Sequence, residues 1–402
     1  MNIVLTVNYS PWSRYSGGGQ RSTHNLGISY SERGHDVTVV YTKPPWEQVD
    51  VPGDLPYQVR WATFFGLWSR RAAPLRPLNA CSVANTVRDV IEAADGPVVV
   101  QCNGEEGARI PDLRPDLDFG LVATPRYSEY PAALMQASPL GPWTRCRLFL
   151  TEHKYLAQGE IARRADRSVP PSAYAARMLH DAYGVPDDRL DVVHNGVPRE
   201  FLEYDHNPDA VEDGPLVFFG RFAEHKGVDT LIDALDHLGE DAPPTRIIGR
   251  GVLEDDLRTQ IARLGLDDRT SFHPWMTHHE LGDALRDARM AVLPSREENF
   301  SLAILSALAV GTPTISTRVG GTPEIIEDGD TGLLVPADDP AALADAIHRL
   351  QSDPDDARRI GANGKSHVRT HLTWAVAAEQ FEALFEQILT ERGRLHASRP
   401  SQ

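Results

Sequence analysis

Two basic side chains follow a short apolar run in the second half of the sequence. The run Leu216–Phe219 is typical of a buried strand, and Arg221 and Lys226 come after it, before a predicted helix that begins at Val228. Arginine offers paired N–H donors and lysine a compact charge, so two cations at a strand end and a helix start suit a diphosphate. An isolated pair of this kind is also typical of a solvated surface. On these two residues alone, solvated surface charges are the favoured interpretation.

An acidic side chain stands at a second predicted connection from strand to helix. The apolar run Met290–Leu293 predicts a buried strand, Glu298 lies in the polar loop after it, and the next helix is stopped by Gly311 and Pro313. Unpaired N–H groups at such a helix start, here residues 299–302, bind anions. A carboxylate beside them could bind a sugar hydroxyl or stabilise a cationic sugar while a diphosphate leaves.

A third connection, near the start of the chain, is rich in glycine. The run Asn2–Val7 predicts a strand, and Gly17 and Gly18 precede a helical segment that Gly34 ends. The N–H groups of such a turn can approach a phosphate or a sugar hydroxyl. A flexible loop tip explains the glycines equally well.

Strands and helices alternate along the chain, which is the pattern of doubly wound α/β domains. A chain of 402 residues is long for one core, so two domains are expected. An Asn-Gly turn followed by proline marks the boundary. We predict one domain over 1–196, a second over 197–370, a helix over 371–390 and a tail over 391–402.

The composition limits the class of partner. The formal net charge of −17 argues against a general binder of nucleic acid or of anionic membranes, because such a binder needs a basic face. The segment 57–78 is different, since it mixes arginines with aromatic residues and has no acidic residue. It could contact a membrane surface peripherally or bind an anionic, lipid-linked acceptor. Folding of its aromatics back onto the domain is the alternative.

The sequence shows no pattern of metal ligands. Cys81, Cys102 and Cys146 are far apart, which fits a reducing compartment and no structural zinc. The polar stretch His278–Glu280 is interpreted as a helix cap. The first residues lack a basic leader, and no apolar run approaches the ~20 residues that span a bilayer. We therefore expect a cytoplasmic protein without a cofactor or a metal ion.

Four motifs resemble those of the family 4 glycosyltransferases in their order and separation. They are YGVPDDRLDVVHNGV, GRFAEHKG, ENFSLAILSALAVGTP and GGTPEIIEDGDTGLLVP. The resemblance implies the GT-B fold, in which two Rossmann-like doubly wound domains face each other across a cleft. It further implies that the N-terminal domain lies on the acceptor side, that the C-terminal domain binds the nucleotide sugar, and that the C-terminal helix crosses back to pack on the N-terminal domain.

The resemblance also assigns roles to individual residues. Arg221 and Lys226 hold the donor diphosphate. Glu298 fills the first glutamate position of the family's acidic motif, and Ser306 stands at the second, whose carboxylate is associated with the donor ribose. Arg126 occupies the place of a histidine near the reacting sugar, so Glu298 and Arg126 are the candidate catalytic residues. The remaining positions belong to the helix start and the glycine loop: Asn299, Phe300, Ser301, Leu302, Gly17 and Gly18.

The implied activity moves a sugar from a nucleotide-diphosphate donor to a sugar, lipid-linked or small-molecule acceptor. It proceeds with retention of configuration and without a metal. Ser306 lacks the charge of a glutamate, which weakens donor binding rather than forbidding the chemistry. Two alternatives stay open. One is a partner subunit that binds without transferring, suggested by Arg126 and Ser306, and the other is a nucleotide-sugar epimerase of the same architecture.

Overall fold

The structure is a computed structural model that describes residues 1–13, 17–65, 76–125 and 157–397. The chain forms two compact units. The first unit combines Met1–His194 with Trp374–Gln402, and the second unit is the continuous stretch Asn195–Thr373. The sequence places the two divisions at 196 and 370.

The first unit contains a six-stranded parallel sheet. Its strands are β1 (Asn2–Val7), β2 (Asp36–Lys43), β3 (Gln58–Thr63), β4 (Val98–Cys102), β5 (Gly120–Ala123) and β6 (Arg167–Ser168). Their spatial order is β3-β2-β1-β4-β5-β6. The inner strands are nearly continuous apolar runs because a parallel sheet is covered on both faces.

The second unit repeats this architecture. Its strands are β7 (Leu216–Arg221), β8 (Thr245–Arg250), β9 (Thr270–His273), β10 (Met290–Leu293), β11 (Thr314–Thr317) and β12 (Leu333–Val335). Their order is β12-β11-β10-β7-β8-β9, and all neighbours are parallel. One hydrophobic core of aliphatic and aromatic side chains surrounds this sheet.

Helices connect the strands of both units. They are α1 (Gly18–Glu32), α2 (Arg76–Glu92), α3 (Ala173–Tyr183), α4 (Ala210–Asp213), α5 (Val228–Leu238), α6 (Glu254–Leu264), α7 (His278–Arg286), α8 (Leu302–Val310), α9 (Pro340–Ser352), α10 (Pro354–His371) and α11 (Trp374–Ala397). Residues 157–164 are also helical.

The strand order reverses once in each sheet. In the first unit β2 and β4 lie on opposite sides of β1, and in the second unit β8 and β10 lie on opposite sides of β7. Ligands of open α/β sheets bind outside the carboxyl ends of the strands at such a reversal. The doubly wound prediction is therefore confirmed, and the β7/β10 reversal lies where Arg221 and Glu298 follow their strands.

The helix α11 belongs to the first unit, although it follows the second unit in the chain. Its Phe385 ring lies 5.7 Å from the ring of Tyr30 in α1, and Phe381 lies 6.5 Å from the same ring. At the edge of this contact Arg33 Nε donates to Glu382 Oε2 at 2.6 Å. The apolar stripe that the sequence shows on this helix thus packs against α1.

The end of α11 differs from the sequence prediction. A tail was expected from 391, but the helix continues to Ala397. Glu391 accepts hydrogen bonds from Arg167 Nη2 at 3.0 Å on both carboxylate oxygens, and Arg392 donates to Asp118 at 2.7 Å. These long-range ion pairs hold the last turns against the sheet, and no local pattern reveals them.

Replacement of Phe385 tests the packing of α11. The side chain is fully buried, so Phe385→Ala is expected to lower the free energy of unfolding of the first unit by about 3–5 kcal/mol. Urea denaturation followed by circular dichroism would measure this loss. Glu386→Ala, at the exposed neighbouring position, should change stability by less than about 0.5 kcal/mol. Equal unfolding midpoints for the two variants would contradict this packing.

Candidate active site

The side chains singled out in the second unit follow two neighbouring strands. Arg221 ends β7, and Lys226 lies in the short turn before α5. Glu298 lies in the loop between β10 and α8. Because β7 pairs with β10 in parallel, the carboxyl ends of the two strands meet at the same edge of the sheet.

Lys226 and Glu298 form an ion pair at this edge, with Lys226 Nζ donating to Glu298 Oε1. The same oxygen accepts the Ser295 hydroxyl at 3.0 Å and the Ser301 hydroxyl at 3.4 Å. Only 11% of the Glu298 side chain is exposed, against 23% for Lys226. The carboxylate is therefore oriented by three donors that all contact one oxygen.

The second carboxylate oxygen of Glu298, Oε2, has no hydrogen-bond partner among the residues that the structure describes. An ionised carboxylate can accept about four hydrogen bonds, so half of this group is available to a ligand. Hydroxyl groups of a ligand can donate hydrogen bonds to this oxygen. Its negative charge can also stabilise a positive charge that develops on a ligand.

Arg296 ties the loop to the start of α5. Its Nη1 and Nη2 atoms donate to the two carboxylate oxygens of Asp229 at 2.8 and 2.7 Å, and its Nε donates to Asp338 at 2.5 Å. Hydrogen bonding to Asp229 raises the pKa of Arg296 above its usual value. Burial raises the pKa of Asp229, but the hydrogen bonds from Arg296 outweigh it and leave this pKa below its ordinary value. The arrangement is a bidentate pair, whose geometry is more specific than that of a single contact.

Two glycines press against the backbone of the same loop. A Cβ atom on Gly227 would lie 2.0 Å from the Pro294 carbonyl oxygen, and one on Gly320 would lie 1.7 Å from the Glu298 carbonyl oxygen. Both glycines have positive φ angles, +63° and +53°. Any other residue would push the loop away, so these positions set where Glu298 lies.

Gly320→Ala should displace Glu298. The added methyl overlaps the Glu298 carbonyl, so we expect destabilisation by about 3 kcal/mol or more. Gly329→Ala is the matched control, because Gly329 also has a positive φ of +82° but open space around its Cβ position. The control should cost only the backbone strain of about 1–2 kcal/mol. Thermal unfolding of both variants measures the two costs, and similar losses in the two variants would refute the close contact.

The helix α8 begins as the sequence predicts. Ser301 is its N-cap, and the hydroxyl accepts the N–H of Ile304 at 3.5 Å. Phe300 is buried in the core, whereas Asn299 and Leu302 are partly exposed. The predicted anion-binding N–H groups are thus positioned by a buried aromatic anchor and a capped helix start.

Ser306 lies one turn after Leu302 on α8, and only 4% of the residue is exposed. Its hydroxyl donates to the Leu302 carbonyl at 2.8 Å. The hydroxyl proton is therefore committed to the helix backbone, and only the oxygen lone pairs are left for a ligand. This contact was not foreseen, because the sequence identifies the residue but not its local hydrogen bond.

The glycine loop of the first unit lies at the start of α1. Gly17 and Gly18 are exposed, and Gly17 N–H donates to the Gln20 side-chain oxygen at 2.9 Å. Gln20 in turn donates to the Asn8 carbonyl at 2.5 Å. The Gly17 N–H is thus satisfied within the protein, and the following N–H groups of the first helical turn are the ones that point to solvent or ligand.

Two predictions fall wholly or partly outside the described residues. Arg126 lies outside them, as does the central part of the segment 57–78. In the described flanks of that segment Tyr57 and Phe64 are buried, whereas Phe65 is 41% exposed. Some of its aromatics therefore fold back onto the first unit, and the membrane contact stays a prediction.

A buried acidic group that the sequence analysis did not single out lies at the carboxyl ends of β1 and β4. Glu106 Oε1 accepts the Thr6 hydroxyl at 3.1 Å and the Asn103 N–H at 3.2 Å. Asn103 also donates to the Thr6 carbonyl at 3.0 Å. Burial, and then the charge of Glu105, raises the pKa of Glu106 to about 8. The sequence signal for Glu106 is the group of polar residues directly after the buried strand β4.

Glu106→Gln should remove a pH dependence of stability. Between the ordinary pKa of 4.5 and about 8, folded Glu106 keeps a proton that the unfolded chain releases, so stability falls as the pH rises through this window. The variant has no such proton and should be more stable than the wild type at pH 8 by about 2–4 kcal/mol. Thermal unfolding over a pH series measures this difference, and the unfolding temperatures of Glu106→Gln and the wild type should converge at low pH. Asp54→Asn, an exposed carboxylate of the same unit, should run parallel to the wild type, and parallel Glu106→Gln curves would contradict the assignment.

His278 and His279, which the sequence places in a polar stretch, lie in the first turn of α7 directly after its N-cap. Thr277 is the N-cap of α7, and the Glu280 side chain accepts the Thr277 N–H at 2.7 Å. His278 contacts Glu200 at 2.8 Å. Within the described ranges no group of three or more metal-ligand side chains is placed to hold an ion, and no helix there is long and apolar enough to cross a membrane.

Comparison with known families gives two matches that together span most of the chain. Residues 16–201 match the family described as Glycosyltransferase Family 4, and residues 205–367 match Glycosyl transferases group 1. The chain belongs to glycosyltransferase family 4. The resemblance seen in the motifs is therefore confirmed.

Among curated relatives, family 4 enzymes named D-inositol 3-phosphate glycosyltransferase are similar. The one from Streptomyces bingchenggensis is 33% identical over 266 residues, which is 61% of this chain and 58% of the relative. The one from Nocardia farcinica is 33% identical over 240 residues, which is 56% of this chain and 53% of the relative. The matched region thus spans little more than half the length of these relatives.

Solved structures of GT-B glycosyltransferases share the fold over nearly the whole chain. Sucrose-phosphate synthase from Thermosynechococcus elongatus has a TM-score of 0.77 at 22% identity, with 97% of this chain and 99% of that chain covered. HepE from Anabaena, in complex with UDP, has a TM-score of 0.72 at 18% identity, with 96% and 100% covered. These likenesses establish the GT-B fold. They do not identify the substrates of this chain.

Proposed function

We propose that this family 4 protein transfers a sugar from a nucleotide-diphosphate donor to a hydroxyl acceptor, with retention of configuration and without a metal ion. The observation that supports the proposal is the Lys226–Glu298 pair at the β7/β10 reversal, together with a Glu298 Oε2 atom that accepts no hydrogen bond from a described residue. It combines a fixed cation for a leaving phosphate with a carboxylate for the sugar.

The donor side follows from the chemistry of glycosyl transfer. The transition state separates an oxocarbenium-like sugar from a departing diphosphate, and fixed opposite charges stabilise both fragments. Arg221, Lys226 and the N–H groups at the start of α8 suit the diphosphate. Such cations supply the charge that a divalent metal supplies in other transferases, which supports metal independence. HepE, which has the same fold, is described in complexes with UDP and with UDP-glucose.

The acceptor is proposed as a chemical class only. The curated relatives are named for transfer to D-inositol 3-phosphate, a polyhydroxylated acceptor. For this chain we propose that the acceptor is a hydroxyl group of a sugar, a polyol or a lipid-linked sugar. The hydrogen-bonded polar groups at the carboxyl ends of β1 and β4, including Asn103 and Glu106, would lie on the acceptor side of such an enzyme.

A thermal-shift screen with nucleotide sugars, followed by product analysis, tests this function. The preferred donor should raise the unfolding temperature and should be consumed in the presence of a hydroxyl acceptor. Glu298→Ala removes the whole carboxylate from the site and should abolish transfer while keeping diphosphate binding. A donor that is bound but never consumed would instead identify a binding subunit, and isomerisation of the donor without any acceptor would identify an epimerase.

A binding subunit is the second candidate, and Ser306 favours it. At this position the hydroxyl proton is committed to Leu302, so no charged group reaches for the donor ribose.

Ser306→Glu should strengthen donor binding if α8 lies beside the ribose. Side chains on a helix point toward its N-terminus, so the new carboxylate would extend past the partly exposed Leu302. A charged hydrogen bond contributes about 1.5–3 kcal/mol, or roughly a tenfold to hundredfold gain in affinity. Isothermal calorimetry with the donor measures it, and Ser306→Gln is the uncharged control. Unchanged or weaker binding by Ser306→Glu in a folded variant would count against this placement.

A further inference from the structure

A second arginine stands beside Arg221 at the edge of the sheet in the second unit. Arg221 ends β7 and Arg250 ends β8, and the two residues are direct partners in the parallel register. Partners in adjacent strands lie about 4.8 Å apart and direct their side chains to the same face of the sheet. The two arginine side chains therefore start from adjacent positions at the carboxyl edge of the sheet.

Close backbone contact fixes this juxtaposition. Phe222 N–H donates to the Arg250 carbonyl at 3.0 Å, which continues the ladder one residue beyond the strands. A Cβ atom on Gly249 would lie 1.9 Å from the Gly220 carbonyl oxygen, and one on Gly251 would lie 2.1 Å from the Phe222 carbonyl oxygen. The glycines on both sides of Arg250 thus allow an approach of the two strand ends that no other residue permits.

Neither arginine is neutralised by a residue that the structure describes. Both are exposed, and within the described residues neither side chain has an ion pair or a hydrogen bond. The acidic residue that follows Arg250 most closely in the chain, Glu254, pairs with Arg258 at 2.9 Å. Like charges on directly opposed strand positions are destabilising, so a bound anion would remove a repulsion that the folded protein otherwise retains.

The charge of the neighbouring lysine is already compensated. Lys226 forms an ion pair with Glu298, so this pair adds no net positive charge to the site. A diphosphate carries at least two negative charges at neutral pH, and the net positive charge available to it comes from Arg221 and Arg250.

We propose that Arg250 is a binding residue for the diphosphate of the donor and acts together with Arg221. This rests on the proposed function, since it assigns a further residue to the same donor site. The sequence motifs pair Arg221 with Lys226, and Arg250 becomes visible only through the register of β7 and β8. The two guanidinium groups clamp phosphate oxygens from one side, while Lys226 and the α8 N-terminus approach the nucleotide from the neighbouring strand end.

The test is calorimetry of the full chain with UDP, with inorganic pyrophosphate and with uridine. Arg250→Ala is expected to weaken binding of UDP and pyrophosphate about tenfold or more, because a charge-assisted contact is lost. Uridine binding should not change. The loss should be largest at low salt and should shrink as the ionic strength rises.

Arg246→Ala is the matched control. Arg246 is also exposed, lies on the same strand and the same face as Arg250, and is four residues away, a separation of about 13 Å. This exceeds the screening length of about 8–10 Å, so the control changes the net charge equally without touching the ligand. It should bind UDP as the wild type does.

Arg221→Ala separates the two proposals. If Arg221→Ala weakens UDP binding while Arg250→Ala binds as the wild type does, the role of Arg250 is refuted and the donor site stands. If Arg246→Ala and Arg250→Ala lose the same affinity, the effect is one of net charge and the role of Arg250 is again refuted. GDP and ADP are tested with the wild type as well, because the base of the donor is not specified. If the wild type binds none of UDP, GDP, ADP and pyrophosphate, the proposed donor site itself is refuted.

Discussion

The candidate site depends on backbone packed directly against backbone. The loop after β10 is held between Gly227 and Gly320, each of which faces a carbonyl oxygen at a distance that leaves no room for a side chain. Contacts of this kind have few alternative arrangements, because a hard-sphere overlap rises steeply with small displacements. The position of Glu298 is therefore set by main-chain geometry, and its side-chain partners only select the rotamer.

Electrostatics adds a second level of organisation on this frame. Arg296 forms ion pairs with Asp229 and Asp338, so its charge is compensated within the protein. The pair with Asp229 holds the loop to α5. Lys226 is likewise engaged by the carboxylate that it orients. Partly buried charges need such partners, since an unpaired charge with little solvent is costly. The structure thus separates cations that stabilise the site from cations that remain exposed at its edge.

The sequence predicts those features that depend on local pattern. Arg221, Lys226 and Glu298 each follow an apolar run, and the register of parallel strands brings such positions to one edge. The start of α8 near residues 299–302 also follows from local pattern, whereas the packing of α11 on the first unit was implied by the family resemblance. The Ser306 hydroxyl bond, the raised pKa of Glu106 and the last turns of α11 could not be predicted, because each depends on a partner or on burial that only the three-dimensional fold supplies.

The assignment of α11 to the first unit has a consequence for biosynthesis. The second unit is one continuous segment of chain, whereas the first is interrupted by it and is completed only by the last helix. During synthesis the second unit can therefore fold while the first still exposes the apolar face of α1 around Tyr30, which Phe381 and Phe385 later cover. The N-terminal half of the chain must wait for its closing helix, and for that interval it is the part most in need of protection from aggregation.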